Sequence, residues 1–530
     1  MIPMKWFPIV LLFLFVNLSV INSTVWFIAP NGLDINPGTW DFPLATIQKA
    51  QEKVSAGDTV YIRGGEYQIT ESQISRVEQN LFACISFLDK SGLPGMRINY
   101  WAYPGENPVF DFSEVKPANQ RVVGIWVNAN WVHIKGLEMT GVEVTIKTHT
   151  ESYCIYSWGN NNIFEQINMH HNQGTGLRHR RGGNNLFLNC DAWQNHDYTS
   201  EDGKGGNTDG FGCHPTDGGT GNIFRGCRAW FNSDDGYDCI RSSEPITFEN
   251  CWAFYNGYSP AFTSLGDGNG FKAGGYAYDE ASLIPSPVPT NTIIFCLAVY
   301  NKANGFYSNH HLAGNIWYNN TAYRNAINYN MVNRESPYSD NINVDGYDHI
   351  LKNNLGYKAR NQETAYINPS LNILKNNYFE LDVTITDQDF ISLDENLLMA
   401  DRKPDGSLPD IDFMKLHPSS DLIDKGTDIG FPFFNSAPDL GAFEQDSSAS
   451  TFLLDDQNPV IRIYPNPVRD LLFIDEGNYK QIIIVDVSGN EFFFNMEKNH
   501  IDVSMLDPGY YLLKIITGDD KIVTKRFIRI

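Results

Sequence analysis

Basic residues are scarce in this chain of 530 residues. Lys and Arg together number 39 against 62 Asp and Glu, which leaves a formal net charge of −23 and a sequence pI near 4.8. So acidic a chain lacks the positive surface that non-specific binding to nucleic acid or anionic lipid requires. We therefore expect no nucleic-acid partner. An anionic substrate stays open, provided that a metal ion or a small basic patch supplies positive charge locally.

Long apolar segments are also missing, with one exception at the N-terminus. Lys5 precedes the apolar run of residues 6–16, and small and polar residues follow up to Ser23. This order is typical of a secretory signal peptide, and the run is short for a bilayer span of about 20 residues. We predict a signal peptide over residues 1–23 and an exported, monomeric mature chain without a transmembrane segment. A membrane anchor is the alternative.

Long amphipathic helices are absent as well, and a sequence repeat takes their place. Short alternating segments end in an Asn at spacings of 23, 37, 24, 45 and 24 residues, so a unit of about 23 residues carries insertions. Such a repeat is typical of a solenoid, and the Leu pattern of leucine-rich repeats is missing. The alternation indicates strands, which predicts a parallel β-helix with an Asn ladder. The repeating asparagines are Asn172, Asn195, Asn232, Asn256, Asn301 and Asn325.

The eight cysteines in an exported chain would normally indicate disulfides. Four of them instead occupy one repeating position, five residues before a ladder Asn. Equivalent positions stack about 4.8 Å apart in neighbouring coils, so we expect a stack of buried free thiols that pack as small apolar groups. These four are Cys190, Cys227, Cys251 and Cys296.

The domain organisation follows from where the repeat fades. The β-helix is predicted over residues 24–445, with a short capping helix over 45–54. A polar segment at 446–458 has the composition of a linker. Residues 459–530 are predicted to form a separate small β-sandwich. Its predicted strands are 471–474, 481–487, 510–517 and 523–530.

A second motif follows several ladder asparagines: a small or polar residue, then Gly, then an aromatic residue or Leu. Gly permits the bend into the next strand, the following apolar side chain points inward, and by alternation the fourth residue points to solvent. The fourth residues should therefore form one exposed row on successive coils. The copies are Thr175-Gly-Leu-Arg178, Asp209-Gly-Phe-Gly212, Asp235-Gly-Tyr-Asp238, Asn269-Gly-Phe-Lys272 and Asn304-Gly-Phe-Tyr307.

This register predicts a cluster of four carboxylates beside Lys272. Clustered acids repel one another unless a cation binds them, and hard oxygen donors suit Ca²⁺ better than zinc. A lysine beside a divalent cation has its pKa pushed down and becomes available as a general base. The pairing favours abstraction of the proton α to a uronate carboxylate, followed by elimination of the C4 oxygen. A solvated acidic rim is the alternative. The carboxylates are Asp209, Asp234, Asp235 and Asp238.

At these residues the chain resembles polysaccharide lyase family 9, the parallel β-helical pectate and rhamnogalacturonan lyases, over roughly residues 24–445. The resemblance is most specific at 207–211, 232–238 and 268–275. It implies an all-β fold, a right-handed parallel β-helix, and an acidic plant cell-wall polysaccharide as substrate. It also implies Ca²⁺ on Asp209, Asp234, Asp235 and Asp238, with Lys272 as the catalytic Brønsted base.

The C-terminal residues carry a second resemblance. The stretch from Tyr464-Pro-Asn-Pro467 to Lys525 is similar to the type IX secretion sorting domain of Bacteroidetes. This resemblance implies the type IX secretion machinery as a partner. It also implies that the chain is secreted, and is then either extracellular or attached to the outer cell surface.

Further residues are candidates for substrate contacts. Arg178, Arg180 and Arg181 form the densest basic cluster, and guanidinium groups hold carboxylates bidentately. Tyr307 and His310 lie on the other side of Lys272 and are expected to line further subsites. A solvated charge run is the alternative for the arginines.

Two other functions stay open at this point. A β-helical glycoside hydrolase would use two of the aspartates as acid and base, but it leaves Lys272 without a role. A non-catalytic, glycan-binding β-helix would use them only for structural Ca²⁺. Among pectic polymers, the sequence does not choose between homogalacturonan and rhamnogalacturonan I.

Overall fold

The computed structural model describes residues 23–445, apart from 217, 277–279, 340 and 341, and, with short gaps, residues 463–529. The predicted signal peptide up to residue 22 and the predicted linker at 446–458 lie outside the described residues. The chain divides into two compact units, one comprising residues up to 422 with 440–443, the other 423–439 with the residues from 444 onward. The domain boundaries drawn from the sequence stay a prediction.

The first unit is a parallel β-helix built from three sheets, here called sheets A, B and C. The strands are short and rich in β-branched and aromatic residues, and each regular coil contributes one strand to each sheet. Each strand pairs in parallel with the equivalent strand of the next coil, except for the antiparallel first strand of sheet C. The predicted all-β architecture is confirmed.

The bounds of the strands are as follows. Sheet A comprises Val25–Ile28, Thr59–Ile62, Ile98–Ala102, Val132–Lys135, Ile163–Glu165, Leu186–Leu188, Asn222–Arg225, Ile246–Glu249, Thr292–Ile294, Ile316–Tyr318, Ile350–Lys352 and Ile373–Lys375. Sheet B comprises Gly65–Thr70, Pro108–Glu114, Glu138–Thr140, Asn168–His170, Asp191–Trp193, Arg228–Trp230, Trp252–Phe254, Leu297–Val299, Thr321–Tyr323 and Leu355–Tyr357. Sheet C comprises Arg76–Glu78, Phe82–Leu88, Arg121–Asn128, Tyr153–Trp158, Thr175–Arg181, Phe211–Thr216, Tyr237–Asp238, Phe271–Lys272, Asn304–Tyr307, Ile327–Asn330 and Gln362–Ala365.

Helices are few in the described residues. The α-helix Ile47–Lys53 confirms the predicted capping helix, and the side chain of Thr46 caps its N-terminus by accepting from the backbone N–H of Lys49. None of the described helices is long and apolar enough to cross a membrane. The remaining elements are the 3₁₀ turns Glu71–Gln73, Ala281–Leu283, Asp387–Asp389 and Glu395–Met399, and the antiparallel pair Asn333–Arg334 and Asn343–Val344.

The predicted Asn ladder and thiol stack are both confirmed. From Asn172 to Asn301, each ladder side chain donates from Nδ2 to Oδ1 of the equivalent Asn in the next coil, over 2.9–3.0 Å. The bonds satisfy polar groups that the turns bury. Cys190, Cys227, Cys251 and Cys296 each directly precede a strand of sheet B, and these four strands pair in register. All eight cysteines are free and buried.

A stack of aromatic rings inside the coils sets the register of sheet C. Phe211, Tyr237, Phe271, Phe306 and Tyr329 lie one above another with ring centroids 4.7–5.3 Å apart. Offset ring stacking and complete burial favour this alignment. Since each of the first four rings directly precedes a residue of the predicted outer row, the core stack also aligns that row.

The second unit contains two antiparallel sheets that share one apolar core, which confirms the predicted β-sandwich. Leu472, Ile474 and Ile501 come from one sheet, and Ile484 and Leu513 are among those from the other. The first sheet comprises Ile463–Tyr464, Leu471–Ile474 and His500–Asp502. The second comprises Glu491–Phe494, Tyr479–Asp486, Gly509–Thr517 and Ile522–Arg529.

Candidate metal and active site

One row of side chains crosses the outer face of sheet C. Arg178 pairs with Gly212, Gly212 with Asp238, Asp238 with Lys272, and Lys272 with Tyr307. The predicted row is therefore confirmed. Its predicted exposure is wrong at Asp238, which is only 6 % exposed, and at Lys272, whose side chain is 11 % exposed. Arg178 and Tyr307 are partly exposed. Neighbours in such a row stand about 4.8 Å apart and cover one another.

Glycines hold the bends that bring the carboxylates together. A Cβ on Gly236 would lie 2.8 Å from the carbonyl oxygen of Gly270, and a Cβ on Gly270 would lie 2.6 Å from that of Gly305. Only glycine permits so close an approach of backbones from neighbouring coils. The residues just before these glycines, Asp235 and Asn269, therefore stack closely.

Three of the four predicted metal ligands form a buried triad. One carboxylate oxygen each of Asp209, Asp234 and Asp235 lies within 4.8 Å of the others. Backbone N–H groups orient them: that of Asp235 donates to Oδ1 of Asp209 over 3.2 Å, and that of Asp267 to Oδ1 of Asp234 over 2.7 Å. The fourth, Asp238, lies beside the triad and accepts from Lys272 through Oδ2 over 3.2 Å.

The charges in this cluster are out of balance. Burial raises the pKa of Asp209 and Asp234 well above the usual range, and the neighbouring carboxylates raise it further. Burial also raises the pKa of Asp235, although Lys272 opposes the shift. Burial lowers the pKa of Lys272, but the surrounding carboxylates outweigh it and hold this pKa well above its ordinary value. One ammonium group faces four carboxyl groups, so further positive charge or protons are needed.

The donor set fits a hard cation. Asp209 and Asp235 are stacked neighbours, and an ionised carboxylate has no hydrogen to donate, so when both are ionised they cannot bridge to each other as the ladder asparagines do. Oδ2 of Asp235 is buried and accepts no hydrogen bond from any described residue, although Nζ of Lys272 lies 3.1 Å away. Clustered carboxylate oxygens of this kind are the ligands that Ca²⁺ prefers.

The predicted basic cluster lies on the N-terminal side of the row. Arg178 forms an ion pair with Glu151, which also accepts a hydrogen bond from the Tyr153 hydroxyl over 2.5 Å. Arg180 is half-buried, and exposed Arg181 lies over the ring of Trp158 at 4.5 Å. Glu151 was not found from the sequence because it lies outside the repeats. It leaves Arg178 partly neutralised.

The other side of Lys272 is aromatic. Tyr307 is half-buried, and burial raises its pKa to about 12, so the phenol stays neutral at physiological pH. The His310 ring lies edge-on to it, with centroids 6.1 Å apart. Burial has the opposite effect on His310, whose pKa it lowers. The structure thus brings both residues to the C-terminal side of the row, as the sequence predicted.

A polar groove of about 510 Å³ adjoins the triad and was missed from the sequence. Asp267 links the two, because its backbone N–H donates to Asp234 while the residue lines the groove. The available signals were the two insertions that lengthen the repeats after Asn195 and Asn256 to 37 and 45 residues. The lining residues are Glu201, Asp202, Lys204, Gly206, Leu265, Gly266, Asp267 and Lys302.

Three parts of the chain match known protein families. Residues 26–354 match the family described as "Pel9A-like, right handed beta helix region", which agrees with the predicted hand of the helix. Residues 369–433 match "Rhamnogalacturonan lyase-like, C-terminal" and 462–529 match "Secretion system C-terminal sorting domain". The latter agrees with the sorting domain predicted from the sequence.

Individual relatives cover most of the chain. Pectate lyase L of Dickeya dadantii is 34% identical, over 81% of this chain and 92% of its own. A solved rhamnogalacturonan lyase is 43% identical with a TM-score of 0.71, over 74% of this chain and 97% of its own. The crystal structure of pectate lyase Pel9A is 31% identical with a TM-score of 0.64, over 81% and 98%.

Proposed function

Because the chain belongs to the Pel9A-like right-handed β-helix family and is a secreted polysaccharide lyase, we propose that it cleaves galacturonate-containing pectic polymers by Ca²⁺-dependent β-elimination. The observation that carries the proposal is the position of Lys272, in one row with Asp238 and 3.1 Å from Asp235 of the buried triad. A lysine is the natural base for carbon acids once its pKa is lowered.

Asp209, Asp234, Asp235 and Asp238 are the residues that hold the ion. When bound, Ca²⁺ supplies positive charge that neutralises a uronate carboxylate and stabilises the carbanion character at C5. Backbone N–H groups already orient all four carboxylates, each through its Oδ1 atom.

Lys272 acts on the substrate as the Brønsted base. Once its ion pairs with Asp235 and Asp238 are relieved, burial lowers the pKa of Nζ. The ammonium group then releases its proton to solvent, and the neutral amine takes the C5 proton. The electron pair of the broken C5–H bond forms the C4–C5 double bond, and the bond between C4 and the glycosidic oxygen breaks. That oxygen takes up a proton from solvent and becomes the hydroxyl of a new reducing end, while the Lys272 ammonium group later returns the C5 proton to solvent, so no water is consumed overall.

The flanks of the row bind neighbouring sugars. Arg178, Arg180 and Arg181 are suited to uronate carboxylates on the N-terminal side. Tyr307 and His310 offer a neutral phenol and an imidazole to sugar hydroxyls on the other side.

Two likenesses favour rhamnogalacturonan over polygalacturonate as the polymer. The solved rhamnogalacturonan lyase is 43% identical in sequence to this chain, against 31% for pectate lyase Pel9A. Residues 369–433 also match a rhamnogalacturonan lyase-like C-terminal region. The sorting domain at 462–529 would be recognised by the type IX secretion machinery.

The test is to incubate the protein with each polymer and follow the ultraviolet absorbance of the unsaturated uronate product. We expect the signal with rhamnogalacturonan, its loss in EDTA and its return with Ca²⁺. Reducing ends that form without this absorbance would instead indicate a hydrolase. Binding of either polymer without cleavage would indicate a non-catalytic, glycan-binding β-helix.

A further inference from the structure

A second row of amides, separate from the Asn172–Asn325 ladder, leads across the coils to Asp235. Nδ2 of Asn330 donates to Oδ1 of Asn304 over 3.0 Å, and Nδ2 of Asn304 donates to Oδ1 of Asn269 over 2.7 Å. Nδ2 of Asn269 then donates to Oδ1 of Asp235 over 2.8 Å. All four residues are buried. The row therefore ends on a carboxylate of the metal triad.

The carboxylate at the end sets the direction of every bond in this row. An ionised Asp235 only accepts hydrogen bonds, so Asn269 must turn its NH₂ group toward it. The amide oxygen of Asn269 then faces Asn304, which must donate in its turn, and the same holds for Asn330. Reversing one amide would leave two buried oxygens facing each other, at a cost of about 1–3 kcal/mol per unsatisfied group.

Backbone groups support the same direction. The N–H of Asn269 donates to Oδ1 of Asp235 over 2.7 Å, and that of Asn304 to Oδ1 of Asn269 over 3.3 Å. At the far end, the N–H of Val332 donates to Oδ1 of Asn330 over 3.2 Å. Since Oδ1 of Asn304 accepts from Nδ2 of Asn330, every amide oxygen in the row has a donor.

The consequence for Asp235 is that its two oxygens differ. Oδ1 is held by two donors from Asn269, while Oδ2 receives no hydrogen bond from the described residues and is turned toward Lys272. We propose that Asn269, Asn304 and Asn330 are positioning residues that hold Asp235 in the orientation that binds Ca²⁺. The proposal rests on the proposed function, because it concerns the same ion. Partners that orient metal ligands contribute about 10–100-fold to metal affinity.

The experiment compares two asparagines of the same coil. Asn304→Leu breaks the row that leads to Asp235, whereas Asn301→Leu breaks the structural ladder, in which Asn301 donates to Asn325 over 2.9 Å. Both remove a buried amide, so both should lower the melting temperature. Calorimetric titration of the full chain with CaCl₂ should show at least about tenfold weaker binding for Asn304→Leu only. With excess Ca²⁺, kcat of Asn304→Leu should return to within a few-fold of wild type.

Asn330→Ala, at the far end of the row, is the second variant if Asn304→Leu does not fold. We expect a smaller loss of Ca²⁺ affinity, about threefold, because two amides still separate it from Asp235. Equal Ca²⁺ affinity in wild type, Asn304→Leu and Asn330→Ala overturns the positioning role and leaves the proposed function intact. Absence of Ca²⁺ binding by wild type overturns both.

Discussion

Nζ of Lys272 lies 3.1 Å from Oδ2 of Asp235, an oxygen that accepts no hydrogen bond from the part of the chain that the structure describes. The carboxylates of Asp235 and its neighbours keep Lys272 charged, since they outweigh the effect of burial on its pKa. A cation at this oxygen would compete with the ammonium group. Metal binding and loss of the Lys272 proton are therefore expected to be one linked equilibrium.

Replacing Lys272 should separate catalysis from metal binding. Lys272→Ala and Lys272→Arg should each lower kcat by at least about 100-fold, because alanine cannot accept the C5 proton and arginine does not lose its own. Calcium affinity of Lys272→Ala should equal or exceed that of wild type, since a competing charge is gone. The readouts are the initial rate of unsaturated uronate formation and calorimetric titration with CaCl₂.

Lys135→Ala is the control for the two Lys272 variants, because Lys135 lies on sheet A and forms an ion pair with Glu165 over 2.7 Å. It should keep wild-type kcat. More than a tenth of wild-type kcat in Lys272→Arg would rule out Lys272 as the base.

The stabilisation that Ca²⁺ gives should grow with pH. The pKa values of Asp209, Asp234 and Asp235 are raised in the metal-free fold, so the folded state binds more protons than the unfolded one between the ordinary carboxyl pKa, about 4, and the raised values. The metal-free fold therefore loses stability as pH rises through that window, and Ca²⁺ restores it. We expect the difference in melting temperature between Ca²⁺ and EDTA to be larger at pH 8 than at pH 5.

Asp235→Asn tests the origin of that difference. It removes one of the repelling charges, so it should raise the melting temperature in EDTA and shrink the gain from Ca²⁺. An unchanged gain would place the stabilising ion elsewhere.

The row through Lys272 was predictable because it depends on periodicity alone. Each Gly-aromatic pair buries a ring in the core stack, so Gly212, Asp238 and Lys272 inherit the register of Phe211, Tyr237 and Phe271. The thiol stack and the Asn ladder follow from the same counting. Because the coils repeat, one correct alignment of the repeats gives the register of the side chains in every coil.

Features that depend on non-repeated residues were not predictable. The row is less exposed than expected, and Asp238 is buried, because exposure depends on how neighbouring side chains fill the space between coils. Glu151 pairs with Arg178 across 27 positions, and nothing in its local sequence marks it. Asp267 reaches Asp234 from an insertion, where the repeat gives no register.

Buried neutral histidines should make the β-helix sensitive to acid. Nδ1 of His349 accepts from the N–H of Asn315 over 2.9 Å, and Nε2 contacts Oδ1 of Asn333 over 2.8 Å. Burial lowers its pKa to about 3, so the unfolded chain binds a proton that the fold excludes between pH 6.5 and 3. Stability is complete above that window and is lost as pH falls, by about 1.4 kcal/mol per pH unit.

The measurement is the unfolding free energy from urea titrations at several pH values, with Ca²⁺ present throughout. His349→Gln should be less stable than wild type at pH 7, but its stability should fall less steeply between pH 6.5 and 4. His149→Gln, at an exposed histidine, is the control and should keep the wild-type slope. Parallel curves for wild type and His349→Gln would contradict the assignment.

A buried cluster of three charged residues, Asp191, Arg228 and Arg402, should hold the segment after the last coil against sheet B. Asp191 is 4 % exposed and accepts from Nη2 of Arg228 over 2.7 Å and from Nε of Arg402 over 3.1 Å. Arg402 also donates to the carbonyl oxygen of Gly226 over 2.9 Å.

Asp191→Asn leaves two buried guanidinium groups without a counter-charge, which should cost about 3–5 kcal/mol of unfolding free energy. Asp202→Asn, in an exposed pair with Lys204 at 3.8 Å, should cost less than about 1 kcal/mol. The urea unfolding midpoints of the two variants test this directly. Equal midpoints would mean that the buried charged cluster contributes no more to stability than a surface ion pair.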